Sequence, residues 1–353
     1  MAVMMMRTAA TEWPAVQYLE LTTGPSSCII PSDGVAAANS DGDTGGLSRA
    51  LAGLMPNVRR VWLNLDADVG LVRRLCEQLV DLYAEQLCQL RYYRSMAMSL
   101  DGRFKKLTDV HIECIGEFDR LFPRMDPTRL ERLTIIDAFP SNWWTAFSIQ
   151  GDSRVIKFPA LKSIDLTSSD WNEMAVRHPD EQPLELHFPR LQSARIGYPT
   201  DACLILGRGS FSSVMDTLSI CGNTAMFGAI AEMTLPVVKR LELRIDHDVD
   251  NDASVYASIR HIFAAACRSE EKRLHISGRR QPLQPENIAF TGLTDLWIMT
   301  STGVDEVFGC IRKLPLLTRL TISNCTLSYL PTDVTLSNPH EHKAIEPFKT
   351  RIQ

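Results

Sequence analysis

Several stretches of the chain carry residue types that could do chemistry, and each lacks what that chemistry requires. Leu206-Gly207-Arg208-Gly209-Ser210-Phe211-Ser212-Ser213-Val214 has the glycine spacing of the loop that covers ATP phosphates in protein kinases. That loop works with a lysine on the following strand and with HRD and DFG segments, and the sequence has none of them. The expectation is a plain loop between structural units. Asp246-His247-Asp248-Val249-Asp250-Asn251-Asp252 opens like a calcium loop, but Ala257 stands where a bidentate glutamate belongs and Asn251 where the turn needs glycine. His340-Glu341-His342 offers two imidazoles without further ligands, a poor metal site. His111 and His275 fall in strand-like segments with no serine or cysteine nucleophile placed beside them. No catalytic residue, metal or cofactor is therefore expected, and the chain reads as not an enzyme.

The nine cysteines are spread singly, without a CxxC pair, and their number is odd. Cysteines scattered among apolar positions act as small buried hydrophobes, which points to a reducing compartment, cytoplasmic or nuclear. The net charge of -5 and the lack of a Lys/Arg-rich run disfavour a nucleic-acid partner, because phosphate neutralisation supplies most of that affinity. No run approaches the roughly 20 apolar residues of a membrane span, so no membrane partner is expected. At 45% hydrophobic residues the 353-residue chain has ample material for a continuous core.

What must position any functional residue is a repeated phrase. It consists of an apolar residue, Pro, any residue, an aliphatic, two variable residues, then aliphatic-x-aliphatic. It occurs at 13–21, 55–63, 158–166, 188–196, 235–243 and 314–322, with proline-free copies at 104–112 and 290–298. Shorter matches centre on Leu90, Leu133, Leu218 and Leu274. The first strand aliphatics are then Leu19, Val61, Leu90, Val110, Leu133, Ile164, Ala194, Leu218, Leu241, Leu274, Leu296 and Leu320. Twelve units across 301 residues give a mean period of about 27. Aliphatic-x-aliphatic has period two, so both aliphatics face one side of a short strand, and stacked strands form a parallel sheet. Proline suits the start of such a strand because it has no N–H to lose from the ladder.

Between these strands lie stripes at helical spacing: Leu71, Leu75, Leu79, Leu82 and Tyr83; Val255, Ile259, Ile262, Phe263 and Ala266; and Val304, Val307, Phe308 and Ile311. Strand, helix and next parallel strand make a right-handed crossover. The expected architecture is α/β, a curved solenoid with the parallel sheet on the concave side and helices on the convex side. Residues 1–12 form a lead-in, 13–331 the solenoid and 332–353 a tail or incomplete repeat, with a mobile surface loop at 25–46 rich in Gly, Ser, Asp and Ala.

The phrases resemble those of leucine-rich-repeat proteins of the kind found among fungal F-box proteins. Leu317-Thr318-Arg319-Leu320-Thr321-Ile322-Ser323-Asn324-Cys325-Thr326-Leu327 fits LxxLxLxxCxL, and Met215 to Asn223 fits the asparagine form. Elsewhere the Asn/Cys position holds Asp66, Ile115, Ala138 or Arg279. The resemblance implies a leucine-rich-repeat horseshoe and a substrate-recognition role related to F-box subunits of cullin ubiquitin ligases. No F-box is visible, and only twelve residues precede the first phrase, so a divergent or truncated relative is expected.

If the sheet lines a concave face, residues flanking the buried aliphatics are displayed there. Units nine to twelve then present Arg240, Glu242, Arg244, Arg273, His275, Ser277, Asp295, Trp297, Arg319 and Thr321 within a patch about 15 Å across. Arg and Trp dominate binding hot spots. The candidate partner-binding residues are Arg240, Arg244, Arg273, His275, Trp297 and Arg319, with Arg60 and Trp62 as a second group, and the fitting ligand is an acidic or phosphorylated protein segment. The bland alternative is a solvated face in which Glu242 pairs with Arg273 and Asp295 with Arg319. Trp143-Trp144 is expected to anchor the convex side. The resulting reading is a monomeric, non-catalytic protein-interaction scaffold. Its rivals are a carbohydrate-active enzyme on a parallel β-helix and a non-functional fragment.

Overall fold

A computed structural model describes residues 4–8, 16–23, 44–64, 70–93, 100–113, 124–136, 155–167, 185–197, 199–211, 214–245, 253–266, 268–277, 290, 292–299 and 314–323. The calcium-like loop at 246–252, the stripe at 304–311, Trp143-Trp144 and the histidine tail lie outside the described residues, as do positions 25–43 of the expected loop. The chain divides into two compact units. The first comprises Met1–Asp170, Glu181–Leu191 and Ser210–Ser212, and the second comprises Trp171–Asp180, Gln192–Gly209 and Ser213–Gln353. Both are mixed α/β and built on parallel strands.

In the first unit the chain runs β1 (Met4–Thr8), β2 (Tyr18–Thr23), α1 (Thr44–Leu54), β3 (Arg60–Asn64), α2 (Gly70–Tyr83), β4 (Gln89–Tyr93), β5 (Asp109–Glu113), β6 (Arg132–Ile136), β7 (Val155–Lys157), β8 (Ser163–Thr167) and β9 (Glu185–Phe188). Strands β2, β3, β4, β5, β6 and β8 pair in parallel in that order. Their register follows the repeat numbering without a slip: Leu19 faces Val61, then Leu90, Val110, Leu133 and Ile164. All six are at most 2% exposed. Burying one such side chain contributes about 1.5–3 kcal/mol, so this single row is a principal source of the unit's stability. The expected lead-in holds a strand, since β1 pairs antiparallel along β2 and occupies its outer edge.

The phrase's first half explains the corners. Its leading apolar residues Met55, Phe104, Phe158 and Phe188 are buried, as are the aliphatics three positions on, Val58, Leu107, Leu161 and Leu191. One carbonyl at the start of each strand accepts two amides from the next: Gln17 from Arg59 and Arg60, Arg59 from Cys88 and Gln89, Cys88 from Thr108 and Asp109, Thr108 from Glu131 and Arg132. A short second sheet, absent from the sequence expectation, orders β7, β9 and β11 (Gly209–Phe211). Phe158, Phe188 and Phe211 stack along it at 5.4 and 5.9 Å.

The second unit contains β10 (Ser193–Ile196), α3 (Pro199–Arg208), β12 (Met215–Gly222), α4 (Thr224–Ala231), β13 (Val238–Ile245), α5 (Ala253–Ala265), β14 (Glu271–Ser277), β15 (Asp295–Met299) and β16 (Arg319–Ser323). Its strands are parallel throughout. Here the register departs from the sequence numbering. Leu218 faces Leu241 as expected, but Leu241 faces Lys272, and Leu274 faces Leu243. The stacked row is therefore Ile196, Ile220, Leu243, Leu274, Leu296 and Leu320. Lys272 occupies an aliphatic position and is 8% exposed. Its ammonium donates to the Phe263 carbonyl in the last turn of α5 at 2.8 Å, where a cation also suits the helix dipole. Gly292, at φ 84°, gives the lysine room, since a Cβ there would sit 3.3 Å from its Nζ.

Several helices differ from expectation. Helix α1 begins at Thr44, so the end of the presumed loop is helical. Leu75, Leu79 and Tyr83 of α2 are buried as the stripe requires, but Leu82 is exposed. The first six residues of the kinase-like phrase are not a loop: Leu206 to Arg208 close α3 and Gly209 to Phe211 form β11. Asn223, the asparagine of the repeat match, caps α4 by accepting from the Met226 amide at 3.1 Å. The α5 stripe Val255, Ile259, Ile262, Phe263 and Ala266 is buried throughout.

Candidate functional site

Residues alternating with the aliphatics point away from the core, so each unit has one sheet face carrying its polar and aromatic side chains. In the second unit the expected candidates do share that face. Arg240 lies opposite Glu271; Glu242, Arg273, Asp295 and Arg319 form the next row; Cys221, Arg244, His275, Trp297 and Thr321 form the third. The arginines are already engaged. Arg240 Nε meets Glu271 Oε2 at 2.6 Å, and Arg273 Nη2 meets the same oxygen at 2.9 Å. Arg273 Nε lies 3.7 Å from Asp295, which Arg319 approaches to 3.2 Å. The result is a ladder of alternating charge, and it holds the Glu271 carboxyl below its usual range, chiefly through the Arg240 hydrogen bond.

Two details correct the sequence reading. Glu242 does lie across from Arg273, but the guanidinium turns to Glu271 and Asp295 instead. His275 and Ser277, expected on display, are buried. Ser277 donates to the Ile245 carbonyl at 3.1 Å, and His275 lies beneath Trp297 with ring centroids 4.3 Å apart and planes within 15°. Trp297 is 46% exposed and caps the stack. Glu271 was not anticipated, because only the two-residue register shift brings it to Arg240.

In the first unit Arg60 and Trp62 sit in a richer setting than the sequence reading gave them. The central row is Glu20, Trp62, Arg91, His111, Thr134 and Asp165. Tyr93, one position beyond Arg91 on the same face, bridges Trp62 and His111 at centroid distances of 5.5 and 4.9 Å. Trp62 Nε1, Arg91 Nε and His111 Nε2 are shielded from solvent and make no hydrogen bond among the described residues. Neither Arg60 nor Arg91 forms an ion pair among the described residues, whereas Arg132 on the same face meets Asp109 at 3.2 Å.

Titration of this cluster follows its burial. The Tyr18 hydroxyl donates to Glu20 Oε2 at 3.3 Å, and burial first, then that carboxylate, pushes its pKa up to about 12. Burial and then the Arg91 charge hold the His111 imidazole below its ordinary pKa, against the opposing pull of Glu113 at 3.8 Å. His111 is thus held as the neutral ring, suited to stacking and single hydrogen bonds. Arg91, Tyr93 and His111 were legible in principle, since each alternates with a strand aliphatic.

Among the described residues no group of three or more His, Cys, Asp or Glu side chains is placed to hold a metal ion. Of the described cysteines, Cys76 and Cys221 are buried, and burial pushes the Cys76 thiol up to about 12. No described helix is long and apolar enough to cross a membrane. The fold thus defines a mixed α/β protein of stacked parallel strands with an arginine- and aromatic-bearing face in each unit. No protein-family model matches the chain, and no curated protein matches it.

Proposed function

We propose that the chain is a non-catalytic scaffold for protein–protein interaction, a leucine-rich-repeat-like solenoid whose open sheet faces hold a partner segment. In this reading it is a substrate-recognition module related to the F-box subunits of cullin ubiquitin ligases, monomeric and cytoplasmic or nuclear. The supporting observation is the division of labour along most of the parallel strands. Aliphatics fill one face, while the other concentrates Trp62, Arg91, Tyr93 and His111 in one unit and Arg244, His275 and Trp297 in the other. Tryptophan and arginine contribute disproportionately to binding because they combine large rigid area with directional hydrogen bonds.

The test is affinity capture from the source cell with the wild-type chain and with Trp62→Ala and Trp297→Ala, scored for cullin-ligase components. Loss of a common set of partners in either variant, with folding intact by circular dichroism, is the expected result. An unchanged partner list in both variants removes the reading. The short second sheet of β7, β9 and β11 favours one rival, a carbohydrate-active enzyme on a parallel β-helix. Release of reducing ends from a polysaccharide panel by the wild-type chain would establish it.

A further inference from the structure

We propose that the first unit carries an anion subsite for one Asp or Glu side chain of an extended peptide, with Arg91 and Arg60 as its cations and Trp62, Tyr93 and His111 as its wall. The inference rests on the interaction reading and specifies what one face of it recognises. It also relocates acidic recognition from the second unit, where Arg240, Arg273 and Arg319 are each held by a carboxylate of the chain itself. An incoming acid there would have to displace Glu271 or Asp295 and gain little. Arg60 and Arg91 make no such ion pair among the described residues.

Two N–H groups on neighbouring strands, Trp62 Nε1 and Arg91 Nε, have no acceptor among the described residues, and His111 Nε2, next in the row, makes no hydrogen bond there either. Trp62 and Arg91 are direct register partners, as are Arg91 and His111, so these groups stand on successive strands about 4.8 Å apart. A shielded N–H without an acceptor is costly, and a ligand oxygen that supplies one recovers that cost. The carboxylate's planar pair of oxygens matches a guanidinium fork. The aromatic wall, spanning Trp62 to His111 through Tyr93, suits an apolar neighbour of the acidic residue.

Charge selects the monoanion. At one end of the row the charges of Arg60 and Arg91 oppose that of Glu20, and at the other Glu113 lies 3.8 Å from His111 Nε2, so the two cations already face two carboxylates. A carboxylate brings one negative charge into that setting, while a phosphoryl group of charge near -2 meets about twice the repulsion from Glu20 and Glu113. His111 adds no cation near neutral pH, since burial and Arg91 favour its neutral form.

The experiment measures fluorescence anisotropy of the full chain with three labelled pools of degenerate extended peptides, fixed centrally as glutamate, glutamine or phosphoserine. The glutamate pool should bind at least about tenfold tighter than the glutamine pool, as loss of a charge-assisted hydrogen bond implies. Arg91→Gln should abolish that preference and Trp62→Phe should weaken it, whereas Arg240→Gln should leave it unchanged. Arg91→Lys, which keeps the charge but not the fork, should retain part of it and covers the case in which Arg91→Gln unfolds. Equal binding of the glutamate and glutamine pools, or a preference that survives Arg91→Gln, overturns the proposal. Tighter binding of the phosphoserine pool overturns the choice of a monoanion. If the pools are indistinguishable while Trp62→Ala still strips captured partners, this inference fails and the scaffold reading stands.

Discussion

The register of β13 against β14 can be tested by thermodynamic coupling. Leu274 faces Leu243, whereas the repeat numbering would have set it against Leu241. All three side chains are at most 1% exposed, so packing loss dominates any truncation. Leu274→Ala should cost about 2–5 kcal/mol, from lost transfer free energy plus the cavity left behind. Leu243→Val and Leu241→Val each remove one methylene and should cost about 1 kcal/mol. The difference lies in the double variants. Leu243 stands about 4.8 Å from Leu274 across the ladder, while a two-residue offset puts Leu241 about 8 Å away. With Leu274 truncated, Leu243 borders an open cavity and has less packing to lose. Leu243→Val should then cost at least about 0.5 kcal/mol less in the Leu274→Ala background, and Leu241→Val should remain additive within about 0.3 kcal/mol. Urea unfolding followed by circular dichroism, with linear extrapolation, gives all four differences. Stronger coupling of position 241 than of 243 to Leu274 would refute the shifted register.

Further outcomes follow from single sites. His111 has a depressed pKa, so as pH falls below about 6.5 the unfolded chain takes up a proton before the native one. Stability should therefore decline from that pH toward the lower native value, and more in the wild type than in His111→Gln; matched pH profiles would contradict this. Asn223→Ala removes the oxygen that accepts from the Met226 amide and should cost about 1 kcal/mol, read from the thermal melt. Gly292→Ala forces an L side chain to φ 84° and should cost about 1–2 kcal/mol in backbone strain. Adding Lys272→Met relieves the contact with Nζ but not that strain, so the double variant should stay less stable than Lys272→Met alone in urea unfolding.

How much of this was legible depends on whether a feature is local. The row from Leu19 to Ile164 follows the numbering because each strand's period-two pair and its leading apolar residue lie within nine residues of one another. The pairing of Arg60 and Trp62 on one face follows from the same alternation. Helix α1 was hidden because Gly45 and Gly46 weigh against a helix, although the packing of α1 on α2, with Ser48 hydrogen-bonded to Gln78, overrides that preference. That Arg60 and Arg91 form no ion pair among the described residues was not readable, because it depends on which carboxylates neighbouring strands bring across the ladder. The burial of His275 was hidden for a similar reason, since alternation places it outward and the Trp297 ring on the next strand stacks over it.

The two-residue shift at β14 shows how packing and charge divide the outcome. Without it, Leu241 would face Leu274, a favourable aliphatic contact, but Arg240 would face Arg273. Like charges directly across a ladder are destabilising. With it, Arg240 meets Glu271 and Glu242 lies across from Arg273. The aliphatic stack loses little, because Leu243 and Ile245 take Leu274 and Ile276 as partners and remain fully buried. The unfavourable consequence is Lys272 inside the core, and the chain meets it with the Phe263 carbonyl at one end and Gly292 at the side. The same shift completes the charge ladder of the second unit and leaves its arginines occupied. The first unit, whose strands follow the repeat without interruption, has no such ladder through Arg60 and Arg91 among the described residues, and that difference in strand register is why acidic recognition is proposed for one face and not the other.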